Sequence, residues 1–335
     1  MSMYDIVGIG NALVDTQFKV THELIDSLGL KIDQMTLSSS EEHAPIIAKL
    51  IEEQAESVSD CGGSATNSLV AASMFGASCF HNCKIADDED GHRYLTSLNE
   101  TGVHHSGQMS DPAILPTGKC LILVTPDAKR TMLTALNVSA AMNKEDIVKD
   151  SLVAAKIFYM EGYMVTSDEN YAALNTAIGA AKANDRLLKV LSLSDPGIVE
   201  IFKERFKEVE SQGLDFILCN ADEAMAFTET ASLEEAISRL KTKPYKSAIT
   251  TGADGCWIID GDSISQVPGI KINPVDTNGA GDMFAGCFMY ALLEGCSLNE
   301  SAEFANYGAS KVVETFGPRL DALGYSEVRK KFKNN

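Results

Sequence analysis

The chain has 335 residues, 45% of them hydrophobic and 22% charged, which is the balance of a folded globular protein and excludes global disorder. Its 47 acidic and 28 basic residues give a net charge of -19, a field that repels polyanions and argues against nucleic acid or an anionic membrane as partner. The length exceeds one average domain of about 150 residues, and a chain of this size buries about three quarters of its unfolded surface without needing staples.

Tyr4–Gly10 is a short apolar run ending in glycines and reads as a buried strand. Glu41–Gln54 has helical spacing, with Ile46, Ile47, Leu50 and Ile51 on one side. Gly62 and Gly63 open a helix over Ala65–Phe75 that Gly76 stops. A strand over Ser78–Ile85 and a helix over Glu89–Thr101 follow, with Gly102 as a stop. Lys119–Thr125 and Arg130–Leu136 alternate as strands around a turn at Thr125–Ala128, so this segment reads as a hairpin and not as a βα unit.

After the hairpin the rhythm is regular. Strand-like runs at Ala155–Met160, Leu187–Leu193, Phe216–Cys219 and Ser247–Thr251 are separated by helical stretches at Asn170–Ala183, Val199–Glu208 and Ser232–Leu240. Cys256–Ile259 and Ser263–Val267 form a late hairpin, and helices around Met283–Leu293, Leu298–Glu314 and Ser326–Phe332 close the chain. The pattern predicts one α/β domain over residues 1–335: a doubly wound, mostly parallel sheet with a small β lid. The eight cysteines contain no CxxC pair, and Cys79 and Cys83 read as part of a strand and not as a zinc site. Scattered thiols, no signal-peptide pattern and no long apolar span suggest a cytoplasmic protein.

The strongest chemical signal is Asp276–Asp282 (DTNGAGD), followed at once by an apolar helical run. Gly279, Ala280 and Gly281 let backbone approach a ligand where a helix begins, and free N–H groups there bind anions without a basic side chain. Asp282 stands beside that anion site, where a carboxylate can take a proton from an attacking hydroxyl. Gly62–Asn67 (GGSATN) is a second glycine turn before a helix, and reads equally as a plain helix-initiating turn or as a site where Asn67 bonds sugar hydroxyls. Gly8–Asp15 (GIGNALVD) starts like a dinucleotide fingerprint, but Leu13 stands in place of the third glycine; Asn11 and Asp15 instead present polar groups at a strand end. Asn220–Glu223 (NADE) follows a strand and reads equally as a metal-water site or as a helix-capping pair. Thr250–Gly255 (TTGADG) offers backbone amides to a ligand or is merely a turn, and no P-loop occurs anywhere.

This set, in this order, resembles the ribokinase/PfkB carbohydrate kinase family over nearly the whole chain. The resemblance implies a ribokinase-like fold, with a lid formed by insertions at about 13–38 and 106–138, and transfer of the ATP γ-phosphate to a hydroxymethyl group of a sugar or nucleoside. It makes Asp282 the base, and Asn278, Gly279, Ala280 and Gly281 the hole for the transferred group. Asn11, Asp15, Gly62, Gly63 and Asn67 become acceptor ligands. Asn220, Thr250, Gly252, Gly255 and Asn306 become ATP ligands, with Arg130 closing from the lid. Glu223 is tied to Mg2+ through water, and Asp276 is an option for a monovalent cation such as K+.

Departures at Leu69, at Ala86–Asp88 and at Cys287 mark a less typical subgroup. Gly8–Asp15, Pro116–Cys120 and Val124–Met132 resemble the adenosine kinase branch and bacterial sugar kinases of similar texture. Phe18, Phe75 and Tyr163 are the candidates for stacking on a base. A ribokinase-, fructokinase- or ketodeoxygluconate-type sugar kinase is the alternative, as is a non-catalytic sugar- or nucleotide-binding regulator; a dinucleotide oxidoreductase is disfavoured by Leu13. The expected partner is a small sugar or nucleoside, and both a monomer and a homodimer stay open.

Overall fold

A computed structural model describes residues 4–333. From the N-terminus the chain forms β1 (Ile6–Ile9), β2 (Leu13–Lys19), α1 (His22–Ser27), β3 (Met35–Leu37), α2 (Ser40–Glu52), β4 (Ser57–Gly62), α3 (Ser64–Phe75), β5 (Cys79–Asn82), β6 (Ile85–Ala86), α4 (Glu89–Glu100), β7 (Val103–His105) and β8 (Met109–Ser110). The predicted hairpin follows as β9 (Gly118–Val124) and β10 (Arg130–Ala135), then α5 (Lys149–Val153), β11 (Ile157–Glu161), α6 (Asp168–Ala181), β12 (Leu188–Ser192), α7 (Pro196–Ile201), α8 (Lys203–Ser211) and β13 (Phe216–Asn220). The chain ends with α9 (Ala221–Thr228), α10 (Leu233–Leu240), β14 (Lys246–Thr250), β15 (Cys256–Asp260), β16 (Ser263–Val267), α11 (Ala280–Leu293), α12 (Leu298–Val313) and α13 (Ala322–Lys333).

Nine strands form the main sheet in the order β16-β15-β14-β13-β12-β11-β1-β5-β7. All pairs from β7 across to β14 are parallel, and the late hairpin adds β15 and β16 antiparallel. Strand periodicity sorts the core. Ile6, Ile157, Tyr159, Phe216 and Leu218 face one layer with residues of α3, α4, α11, α12 and α13. Val7, Ile9, Phe158, Met160, Ile217 and Cys219 face the other, with α5 to α10. Continuous apolar strands covered on both faces are what a doubly wound sheet requires.

Two features of this frame build a cleft. The chain runs outward from β1 to β5 and β7, then returns to β11 on the other side of β1. The carboxyl ends of β1 and β11 therefore flank a switch point, where open α/β sheets bind ligands. In addition, α11 packs almost backbone to backbone on α3: a Cβ at Gly286 would lie 2.5 Å from the Ser68 carbonyl oxygen and 2.6 Å from the Ala71 Cβ. One turn earlier on each helix stand Asp282 and Ser64, so this close contact brings both helix starts to one place.

The lid is a five-stranded sheet, β3-β10-β9-β2-β4. Its alternation gives two faces. Phe18, Leu121, Leu123 and Leu133 pack with Ile25 of α1 and Leu50 of α2 in a core of the lid's own. Leu13, Cys120, Ile122 and Val124 cluster separately with Met132, Leu136 and Phe316. Phe316 follows α12, so this second face looks toward the body.

The structure differs from expectation in three places. The segments 13–38 and 106–138 supply four of the lid strands, but the fifth, β4, lies outside both, as does α2. The stretch Val199–Glu208 is not one helix: Phe202 (φ -107°, ψ 26°) leaves helical geometry, and Asp195 caps a separate α7. The run Ser78–Ile85 is split, because β6 leaves the main sheet and pairs with β8. Among the described residues no group of His, Cys, Asp and Glu is arranged to hold a metal by itself. No described helix is long and apolar enough to cross a membrane.

Candidate active site

The half-buried Asp282 lies in the first turn of α11. Its carboxylate accepts from Ser64 Oγ at 2.6 Å and from Asn67 Nδ2 at 2.9 Å. Burial raises its pKa, while those two hydrogen bonds and the positive charges of Arg130 and Arg319 hold the rise back. Gly279 caps the helix with φ at 76°, and a Cβ there would come within 2.1 Å of the Pro318 carbonyl oxygen. Only glycine fits that position. With Ala280 and Gly281 it opens a 14-residue helix, and the first N–H groups of a helix lack intrahelical partners, as an anion site requires.

Asn278 and Asp276 hold that loop from below. Asn278 N donates to Asp276 Oδ1 at 2.9 Å, and Asn278 Nδ2 donates to Gln17 Oε1 at 3.0 Å. The fully buried Asp276 also accepts from Gln17 Nε2 and, at 3.1 Å, from Gly317 N. The lid arginine reaches the same loop: Arg130 Nη1 donates to Asn278 Oδ1 at 3.3 Å, and its Nε is buried without a partner. Lid and anion loop are therefore linked through Gln17 and Arg130.

The residues expected on the acceptor side lie among buried carboxylates. Asp15 on β2 is buried, and its pKa is pushed up to about 8 by desolvation, with Arg319 opposing and the charges of Asp282 and Asp60 adding. Gly62 lies against it so closely that a Cβ would sit 1.9 Å from Asp15 Oδ2. Gly63 has φ at 96°, and a Cβ there would meet the Asn11 carbonyl oxygen at 2.2 Å. Asn11 itself is buried, donates its N–H to Glu161 Oε2 at 2.8 Å and accepts from Asn170 Nδ2 at 3.1 Å. Glu161, at the end of β11, is pushed up to about 8 by burial against its backbone hydrogen bonds from Asn11 and Ala65.

The nucleotide-side candidates sit at the ends of β13 and β14. Asn220 and Glu223 form a reciprocal capping box: Glu223 N donates to Asn220 Oδ1 at 2.9 Å, and Asn220 N donates to Glu223 Oε2 at 3.0 Å. Thr250 ends β14 with its hydroxyl 3.4 Å from the Cys219 carbonyl oxygen. Gly252 starts an exposed turn that Gly255 closes, with the Thr251 N–H on the Gly255 carbonyl at 2.8 Å. Asn306 of α12 donates to the Val267 and Pro268 carbonyls at 3.3 and 3.2 Å, the same turn that packs on Gly255. Its donor is thus committed to bracing that turn.

The profile of the pfkB family carbohydrate kinases matches residues 23–323. The chain belongs to the pfkB family. It is 29% identical over 344 residues to an adenosine kinase of Saccharomyces cerevisiae, covering 96% of this chain and 99% of the yeast protein. The adenosine kinase structure from Sinorhizobium meliloti superposes with a TM-score of 0.90 at 28% identity, covering 98% of this chain and 99% of that one. A probable sugar kinase from Rhizobium etli does so with a TM-score of 0.90 at 27% identity and 99% coverage of both chains. This pfkB protein is thus a ribokinase-like α/β enzyme, an ATP-dependent phosphotransferase with a hydroxyl acceptor. Kinases of the family use ATP and a divalent metal.

The donor set of this pfkB kinase can be tested against a metal. Glu223 is buried, and its pKa is pushed up to about 7 by desolvation, against the Asn220 backbone bond and with Asp195, Asp222 and Asp282 adding negative charge. An oxygen-rich, negative corner suits a hard divalent cation held through its waters. Asp276 does not fit a monovalent cation in the same way. Its carboxylate is fully buried and engaged by N–H donors from Gln17, Asn278 and Gly317.

The stacking candidates need correction. Phe75 is fully buried among Tyr290, Phe304 and Tyr325, and Phe18 belongs to the outer core of the lid, so neither faces the cleft. Tyr163 is partly buried and points its hydroxyl at the Ser194 carbonyl at 3.4 Å. The structure also adds residues that sequence reasoning missed. Gln17 was legible as the next inward position after Asp15 on a strand, and Glu161 as the polar end of an apolar strand run. Arg319, in an irregular loop after α12, carries no such signal.

Proposed function

We propose that this kinase transfers the γ-phosphate of ATP to the hydroxymethyl group of a nucleoside, adenosine foremost, with Mg2+ as the divalent ion. The observation that carries the acceptor class is the two-sided cleft. Asn67 and Asp282 stand on its body side and Asp15 faces them from β2 of the lid, all groups that can bond sugar hydroxyls. The same lid face carries the apolar Leu13, Cys120, Ile122 and Met132 beside Asp15. A bare sugar leaves these apolar groups unmatched, whereas a nucleoside offers ribose hydroxyls to the polar groups and a flat base to the apolar ones. Relatives named as adenosine kinases support the same acceptor.

The chemistry follows from placement and charge. Asp282 takes the proton of the attacking hydroxyl as the new O–P bond forms. The bond from the γ-phosphorus to the bridging oxygen breaks and ADP leaves. Charge developing on the transferred group faces the N–H groups of Gly279, Ala280 and Gly281 and the guanidinium of Arg130. Glu223 and Asn220 would hold Mg2+ through its waters, and the ion supplies charge neutralisation at the phosphates. The apolar lid face excludes water, whose attack would hydrolyse ATP instead. No monovalent-cation step belongs to this reading, since the Asp276 carboxylate is engaged by Gln17, Asn278 and Gly317.

The test is ATP turnover against adenosine, inosine, guanosine, ribose, fructose and ketodeoxygluconate. Adenosine should give the highest kcat/KM. Ribose, fructose or ketodeoxygluconate outrunning every nucleoside would overturn the acceptor assignment.

A further inference from the structure

The loop after α12 touches three parts of the site through three consecutive residues. Gly317 N donates to Asp276 Oδ2 at 3.1 Å, the Pro318 carbonyl backs Gly279, and Arg319 Nε donates to Asn67 Oδ1 at 2.9 Å. The Arg319 side chain is only 6% exposed. Its Nη1 donates to Ser97 Oγ at 3.1 Å and stands 3.8 Å from Asp60 Oδ1, while Nη2 is buried with no partner. A buried guanidinium with an unpaired N–H is costly, and an apolar side chain would fill the same space at less cost. Packing therefore does not account for an arginine here.

The amide of Asn67 does. An amide has one donor end and one accepting end, whereas guanidinium only donates. Arg319 therefore holds Oδ1 toward itself, which leaves Nδ2 to face Asp282 at 2.9 Å. With the amide reversed, a carbonyl oxygen would stand against the carboxylate and repel it. We infer that Arg319 is a positioning residue for phosphoryl transfer: it locks the Asn67 amide so that Asp282 receives an N–H and acts as a carboxylate. This inference rests on the reading of Asp282 as the base.

Other charges face Asp282 from every side. The Asp282 charge raises the carboxyls of Asp15 on β2, Glu161 on β11 and Glu223 on α9 and the phenol of Tyr159 on β11, while the charges of Arg130 and Arg319 lower its own pKa. Loss of Arg319 removes one of the two cations and frees the Asn67 amide. Both changes move the Asp282 titration upward.

The experiment compares the wild type with Arg319→Met and Arg319→Lys, alone and in an Asn67→Ala background. The readouts are kcat against pH with adenosine, KM for ATP, and 13C-carboxyl NMR titration of Asp282. Arg319→Met should lose about tenfold in kcat at pH 7, the scale seen when a supporting shell is removed. Its acid limb and the Asp282 titration should move up by about one pH unit, with KM for ATP unchanged. Arg319→Lys should recover part of the loss, and the shift should shrink in the Asn67→Ala background. An unshifted Asp282 titration in Arg319→Met overturns the inference. So does an equal shift without Asn67. If Arg319→Met does not fold, Arg319→Lys, which keeps the charge but not the fork, carries the same comparison. Because the NMR titration needs no turnover, a protein that phosphorylates none of the acceptors but shows the shift would refute the function and leave the positioning role intact.

Discussion

The Asn67 amide donates to the Asp282 carboxylate over 2.9 Å, joining two helix starts that lie 215 residues apart in sequence. This contact exists because α11 and α3 pack without intervening side chains at Gly286. Asp282, the proposed base, is thus oriented by α3, and the helix start proposed as the anion hole is one residue away on its own helix.

The other hydrogen bond to Asp282 comes from Ser64 at 2.6 Å. Ser64→Ala removes a bond that lowers the Asp282 pKa, so the carboxylate protonates at a higher pH. The expected loss in kcat is about tenfold at acid pH, vanishing on the alkaline side where the base is ionised in both proteins. A pH profile of kcat checks this.

Gly279→Ala is expected to disable the site more severely. The position needs a positive φ of 76°, and a methyl group would strike the Pro318 carbonyl oxygen at 2.1 Å. The strain is worth about 1–3 kcal/mol, and its relief must move the N–H groups of the anion hole. Chemical denaturation should show the stability loss, and phosphoryl transfer should fall with little change in acceptor binding measured by calorimetry.

Gln17 links the lid to the anion loop by bonding both Asp276 and Asn278. Gln17→Leu leaves the fully buried Asp276 carboxylate short of a donor. The expected cost is about 1–3 kcal/mol, read as a lower denaturant midpoint. Gln17→Glu, which sets a second carboxylate against the first, should cost more.

Asp15 and Glu161 make a pH prediction. Burial raises both, from 3.8 and 4.5 to about 8. Between those values the native protein holds more protons than the unfolded chain, so stability falls as pH rises. The contribution is fully present below pH 3.8 and is lost as the pH rises through about 8. Melting temperatures of the ligand-free protein should therefore decline across this window. Asp15→Asn should flatten the decline and weaken acceptor binding together. An unchanged slope in that variant would show that Asp15 is ionised in the folded state.

Much of this was legible because it is local. The alternation in β9 and β10 announced a hairpin, and Asp276–Asp282 announced a helix start with a carboxylate beside it. Three readings could not be made locally. Whether Asn220 and Glu223 cap a helix or face a metal depends on the neighbouring Asp195, which lies on another element. Phe75 looked available for a base because the sequence does not show that Tyr290, Phe304 and Tyr325 close around it. Arg319 was invisible because its meaning lies in partners on α3, α4 and β4, not in any periodicity of its own loop.

The central claim is that Asp282 deprotonates a nucleoside hydroxyl beside the anion hole. The most direct measurement is formation of a 5′-phosphate from adenosine and ATP, followed by 31P NMR, in the wild type and in Asp282→Asn. The wild type should form the product. The variant should bind ATP as before and lose about 10²–10⁴ in kcat. Near-normal turnover by Asp282→Asn would contradict the claim.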